Sequence, residues 1–122
     1  MSKIMLIEDD QTMAGLLTIL LGIEGFDVFA FKGGEDILPV IRSEHPEVIL
    51  LDVNLKNLGG RITSGFDLLP LIRQDEELCQ ICVIISSGMN YQDESKAAGA
   101  DGFIMKPYMP DTLLKLIKSK LN

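Results

Sequence analysis

Two kinds of hydrophobic pattern alternate along the chain from one end to the other. Short, nearly unbroken apolar runs occupy residues 3–7 (KIMLI), 26–31 (FDVFAF), 47–51 (EVILL), 81–85 (ICVII) and 102–105 (GFIM). Runs of this length suit strands that are buried on both faces. Between them, apolar residues return every three or four positions. Met13, Leu16, Leu17, Leu20 and Ile23 do so over residues 11–24, and Ile37, Leu38 and Ile41 over residues 35–43. The same spacing predicts helices over residues 66–74 and 111–121, the last with Leu113, Leu114 and Ile117 inward.

The punctuation agrees with the pattern. Asp10 reads as the N-cap of the first helix, and Gly25 ends it, because glycine tolerates the left-handed conformation past a helix terminus. Pro46 stops the second helix, and Pro110 suits the first turn of the last. Five strands interleaved with five helices predict a parallel sheet covered on both sides. Right-handed crossovers then leave a doubly wound α/β domain, one domain over residues 1–122. Such folds bind ligands beyond the carboxyl ends of their strands.

Composition narrows the function classes. Eighteen acidic against eleven basic residues leave a net charge of −7, with no Lys/Arg cluster, so direct nucleic-acid contact is not expected. The longest apolar stretch, residues 13–23, is interrupted by Gly15, Thr18 and Gly22 and falls short of the ~20 residues of a membrane span. The N-terminus runs into Glu8, Asp9 and Asp10 and does not read as a signal peptide, so a cytoplasmic location is expected. Cys79 and Cys82 have C-x-x-C spacing, but His45 is the only histidine, so no zinc set can be completed and the thiols read as structural. His45, before Pro46, reads as a surface loop residue, and Met89, Met105 and Met109 as packing residues.

The chemistry sits at the strand ends: Glu8, Asp9 and Asp10 after the first, Asp52 after the third, Ser87 after the fourth and Lys106 after the fifth. Gathered carboxylates repel one another unless they take up protons or hold a cation. Oxygen-only donors point to a hard ion, Mg²⁺ above others. An aspartate beside such an ion and a lysine is the arrangement that accepts a phosphoryl group. Ser86 adjoins Ser87, but a strand alternates faces and the Ser-Gly pair favours Ser87 as the hydroxyl at the site.

Over its whole length the chain resembles the receiver domains of two-component response regulators, through "IMLIEDD", "VILLDVN", "VIISSG" and "GADGFIMKPY". The resemblance implies a flavodoxin-like sheet of order 2-1-3-4-5. It implies Asp52 as phosphoacceptor, and Mg²⁺ held by Asp9, Asp52 and the Asn54 backbone carbonyl, with Glu8 acting on the ion's water shell. Ser87 and Lys106 would contact the phosphoryl group, and Ser87 with Phe103 would form the switch. The Lys106–Pro107 bond matches the family's cis peptide. The implied partners are a sensor histidine kinase or histidine phosphotransfer protein and an unnamed output, with a homodimer also allowed. The implied role is signalling rather than enzymatic, apart from assisting its own phosphotransfer and slow dephosphorylation.

Two departures from the family pattern stand out. Lys56 replaces an expected proline, and residues 56–65 form an insertion of about five residues, rich in glycine and expected to be mobile. The stretch between Ser87 and Lys106 is also short of the family pattern by about a turn of helix, which implies a fourth helix of only residues 91–98 or an irregular one. The main alternative is a receiver-like adapter that is never phosphorylated, which would be expected to lose part of the Glu8, Asp9, Asp52, Ser87 and Lys106 set. An aspartate-nucleophile phosphohydrolase would want a carboxylate where Asn54 stands. A flavin carrier would not place three carboxylates after its first strand.

Overall fold

The computed structural model describes residues 2–121. Five strands, β1 (Lys3–Ile7), β2 (Asp27–Ala30), β3 (Val48–Asp52), β4 (Cys82–Ser87) and β5 (Gly102–Met105), form one parallel sheet in the order β2-β1-β3-β4-β5. Five helices connect and follow them: α1 (Gln11–Ile23), α2 (Ile37–Glu44), α3 (Gly65–Gln74), α4 (Gln92–Ala97) and α5 (Pro110–Leu121). The strands read as unbroken apolar runs because each feeds two cores. Met5, Ile7, Ile49 and Leu51 pack with Ile37 and Ile41 of α2 and Leu68 and Ile72 of α3. Ile4, Leu6, Val48 and Leu50 pack on the other face with Leu17 and Leu21 of α1 and Leu113 and Ile117 of α5. Helices on both faces make a sheet this apolar stable in water.

The boundaries follow local chemistry. Asp10 Oδ1 accepts the Met13 N–H at 3.1 Å and caps α1, and Gly25 follows it at φ +97°. The second helix begins at Ile37, two residues later than the apolar spacing predicts, because Asp36 before it is the N-cap and holds an extended backbone. His45 ends it in the left-handed conformation and is exposed. Arg73, near the end of α3, donates to the carbonyls of Cys79, Ile81 and Gly99 and to Asp101, which ties α3 to the edges of β4 and β5.

Three expectations need correction. Helix α1 rests on Ala14, Leu17 and Leu21, leaving Leu16 52% and Ile23 75% exposed. The helix is apolar nearly all round, so its spacing did not single out one face. Met89, Met105 and Met109 are exposed rather than packed, because each lies at or beyond the carboxyl end of β4 or β5. The inserted loop is not free. Leu55 N–H donates to Thr63 and Gly65 N–H to Val53, a short antiparallel pairing that closes its two ends. Leu55 and Leu58 are buried in the α2/α3 core, and Ile62 packs against it. Lys56, Asn57 and Thr63, with Gly59, Gly60 and Arg61 at the tip, face solvent.

Cys79 and Cys82 are both free thiols. Burial, helped by the Asp101 carboxylate, pushes Cys82 up to about 11, which keeps it an unreactive thiol.

Candidate functional site

The parallel sheet brings the carboxyl ends of β1, β3, β4 and β5 to one edge, and the polar residues that end those strands meet there. The carboxylate oxygens of Glu8, Asp9 and Asp52 lie within 4.8 Å of one another. Glu8 and Asp52 are buried, while Asp9 is half-buried at the mouth of a cleft. Lys106 reaches in from beyond β5, with Nζ 3.0 Å from Glu8 Oε1 and 3.3 Å from Asp52 Oδ1. Its position is fixed by the backbone, since Lys106 N–H donates to the Ser87 carbonyl at 2.7 Å. The peptide bond that follows, Lys106–Pro107, is cis.

The electrostatics follow from this crowding. Burial, and then the negative charge of Glu8, push the Asp52 carboxyl up to about 6 despite Lys106. Burial and the neighbouring Asp52 also raise Asp9. Burial pulls the Lys106 ammonium down, but the Glu8 and Asp52 carboxylates outweigh it, and its pKa ends above the ordinary lysine value. Three carboxylates against one ammonium leave a negative cluster of oxygen donors. That donor set fits a hard divalent cation such as Mg²⁺.

Ser87 is buried at the end of β4 and lines the same cleft, where its Oγ accepts the Met89 N–H at 3.1 Å. Ser86 is fully buried and in register with Asp52, and its Oγ makes no hydrogen bond among the described residues. Asn54 lies on the cleft rim, exposed, with its Oδ1 taking the Lys56 N–H. Phe103 is not in the cleft. It is half-buried against the α2/α3 core and lines a separate shallow groove with Asn90 and Thr112. Sequence reasoning missed Met89 and Tyr91, which line the cleft, Tyr91 with its ring edge-on to Phe66 at 5.4 Å. Their place just past Ser87-Gly88 was the available signal.

Comparison with known proteins agrees with this geometry. The family profile described as the response regulator receiver domain matches residues 4–118. The DNA-binding response regulator MtrA of Mycolicibacterium paratuberculosis is 29% identical over 98% of this chain. The chain spans about half the length of that relative, 51%. The polar-differentiation response regulator DivK of Brucella ovis is 26% identical, and there the match covers 98% of this chain and 96% of the relative. Among solved structures, the CheY-like receiver domain protein of Methanospirillum hungatei superimposes with a TM-score of 0.83 at 27% identity, covering 99% of this chain and 94% of that one. The chemotaxis regulator CheY4 of Vibrio cholerae shares the fold at a TM-score of 0.85 and 24% identity, each chain covered to 98%. With its 2-1-3-4-5 sheet and its acidic cluster at the strand ends, the chain belongs to the response regulator receiver domain family.

Proposed function

We propose that Asp52 is the phosphoacceptor of this receiver and that Mg²⁺ is its cofactor. The observation that carries the reading is the buried Asp52 carboxylate, held 3.3 Å from the Lys106 ammonium and within 4.8 Å of the Glu8 and Asp9 oxygens. Asp9, Asp52 and the Asn54 backbone carbonyl would hold the ion, with Glu8 acting on its water shell. When bound, the ion supplies positive charge that offsets the carboxylates and the incoming phosphoryl oxygens.

The chain's own residues do the rest. An Asp52 carboxylate oxygen attacks phosphorus as the donor's phosphohistidine N–P bond breaks, and the imidazole leaves with that electron pair. Lys106 is already beside the nucleophile, so it takes up the added charge of about −1.5 to −2 without a large reorganisation. The Ser87 hydroxyl turns from the Met89 N–H to a phosphoryl oxygen. The donor is a sensor histidine kinase or a histidine phosphotransfer protein, and the domain works in the cytoplasm. Slow return to the resting state is hydrolysis of the acyl phosphate by water. The movement of Ser87 and Lys106 passes along β4 and β5 to the groove beside Phe103, which is in register with Ile85. Output then resides in whatever protein surface or further domain reads that groove. The MtrA relatives are described as DNA-binding, but a net charge of −7 argues against such contact by this chain itself.

Acetyl phosphate with and without Mg²⁺, followed by mapping of the modified residue, tests the assignment. Metal-dependent label on Asp52, absent in Asp52→Asn, is expected. Label persisting at the wild-type level in Asp52→Asn would overturn it.

A further inference from the structure

Three buried side-chain oxygens behind the acidic cleft have no hydrogen-bond partner among the described residues: Glu8 Oε2, Ser86 Oγ and Tyr108 Oη. Strand alternation puts them on one side of the sheet. β1 sends Ile4 and Leu6 toward α1 and α5, so Glu8, two residues on, follows them. β4 sends Cys82 and Ile84 the same way, and Ser86 is next in that series. Tyr108, two residues past Lys106, packs its ring against this same cluster. Burial, and then the Glu8 and Asp52 carboxylates, push the Tyr108 phenol up to about 12, so the hydroxyl stays a proton donor within reach of their field.

Glu8 needs a second anchor. Its Oε1 accepts from Lys106 Nζ at 3.0 Å and from the Asp10 N–H at 3.3 Å, which leaves Oε2 with nothing. A buried polar group left unsatisfied costs about 1–3 kcal/mol. Internal waters are found where two to four such groups converge. One water would serve all three, donating one hydrogen to Glu8 Oε2 and the other to Ser86 Oγ and accepting the Tyr108 hydroxyl.

We propose that Tyr108 and Ser86 are positioning residues for Glu8, their hydroxyls joining Glu8 Oε2 around one internal water that fixes the carboxylate from behind the cleft. The effect on metal binding rests on the reading of Glu8 as part of the Mg²⁺ site. The water-mediated contact itself does not.

Tyr108→Phe, Ser86→Ala and the double variant test it in the intact chain. Each single change deletes one oxygen and keeps the packed side chain. In the metal-free protein at fixed pH, the Glu8 carboxyl carbon resonance should move in both single variants. Mg²⁺ titration should show affinity about tenfold weaker in each, the lower end of what outer partners of metal ligands are worth. The double variant should be no weaker than a single one, because either change already removes the water. A Glu8 resonance unmoved in both, or losses that multiply in the double variant, would overturn the proposal. So would weaker Mg²⁺ binding that merely tracks lost folding stability in urea while the resonance stays put. If the resonance moves as expected but Asp52 takes no phosphoryl group, the positioning stands and the functional reading fails.

Discussion

The Lys106 ammonium lies 3.3 Å from the Asp52 carboxylate although their strands, β5 and β3, never touch and β4 runs between them. Only the long lysine side chain, started from a backbone pinned to the Ser87 carbonyl, spans that gap. It holds Glu8 at the same time, so one ammonium serves two buried carboxylates.

That sharing separates the roles of Lys106 and Asp9. Lys106→Ala removes a positive charge from the rim of a cation site, so Mg²⁺ affinity should stay the same or rise. Asp9→Ala removes one of the carboxylates proposed to hold the ion and should weaken Mg²⁺ strongly. Lys106→Ala should still slow phosphorylation and lower metal-free stability by about 1–3 kcal/mol, since it strands two buried carboxylates. Parallel metal titrations and urea melts check this. Equal loss of Mg²⁺ in the two variants would contradict the division of labour.

The raised Asp52 carboxyl makes metal-free stability depend on pH. Its folded value of about 6 lies above the unfolded value of about 3.9. The folded protein therefore binds more protons between these limits, and stability is full below about pH 4 and declines as pH rises through 6. The loss is about 2–3 kcal/mol for a shift of this size. Asp52→Asn should stabilise the metal-free protein at pH 7 and flatten the decline, and saturating Mg²⁺ should restore wild-type stability at that pH. Urea denaturation at pH 4.5 and 7 measures each effect, and an unchanged slope in Asp52→Asn would count against Asp52 as its source.

What the sequence revealed depended on how much redundancy the physics supplied. The strands were legible because burial on both faces demands unbroken apolar runs, and the polar residues that end them, Glu8, Asp9, Asp52, Ser87 and Lys106, had to share one sheet edge once the strands were parallel. The resting face of α1 was not legible, because Leu16 and Ile23 are as apolar as Leu17 and Leu21 and only the sheet decides which pair is covered. The docked loop was hidden for a related reason. Leu55, Leu58 and Ile62 are only three apolar residues in a run broken by Gly59 and Gly60, and those glycines suggested freedom. Nothing marked Tyr108 or Ser86 as partners of Glu8, since an extra hydroxyl becomes notable in that role only when its burial and lack of partners are seen.

The anchored loop yields an expectation opposite to that of a mobile one. Leu58→Ala should cost about 2–4 kcal/mol, because it opens a cavity in the α2/α3 core. Gly33→Ala should also destabilise, since a Cβ there would sit 2.4 Å from the Leu58 carbonyl oxygen at φ +85°. Arg61→Ala, at the exposed tip, should change stability by less than about 0.5 kcal/mol. Thermal melts of the three variants decide between a docked loop and a neutral surface insertion. Wild-type stability in Leu58→Ala would show that the loop is not held.

The loop's far end bears directly on Asp52. Gly65, first residue of α3, sits so close under Asp52 that a Cβ would lie 2.5 Å from the Asp52 carbonyl oxygen and 3.0 Å from the Leu51 side chain. The first obstacle is backbone, and it cannot rotate away as a side-chain tip would. Gly65 N–H also donates to the Val53 carbonyl at 2.8 Å, so the two segments cannot separate without losing that bond. Gly65→Ala must therefore push the end of β3 and carry Asp52 with it, while Glu8, Asp9 and Lys106 stay on their own strands. A misplacement near 1 Å costs on the order of a hundredfold in a positioned reaction. Phosphorylation by acetyl phosphate should fall by about that factor in Gly65→Ala, with a stability loss of about 1–3 kcal/mol. Ser64→Ala is the control. It removes the oxygen that accepts the Phe66 N–H and so weakens the same helix start by about 1 kcal/mol without touching Asp52. If both variants phosphorylate alike, the close approach of Gly65 is a packing detail. If only Gly65→Ala fails, the start of α3 sets where the nucleophile stands.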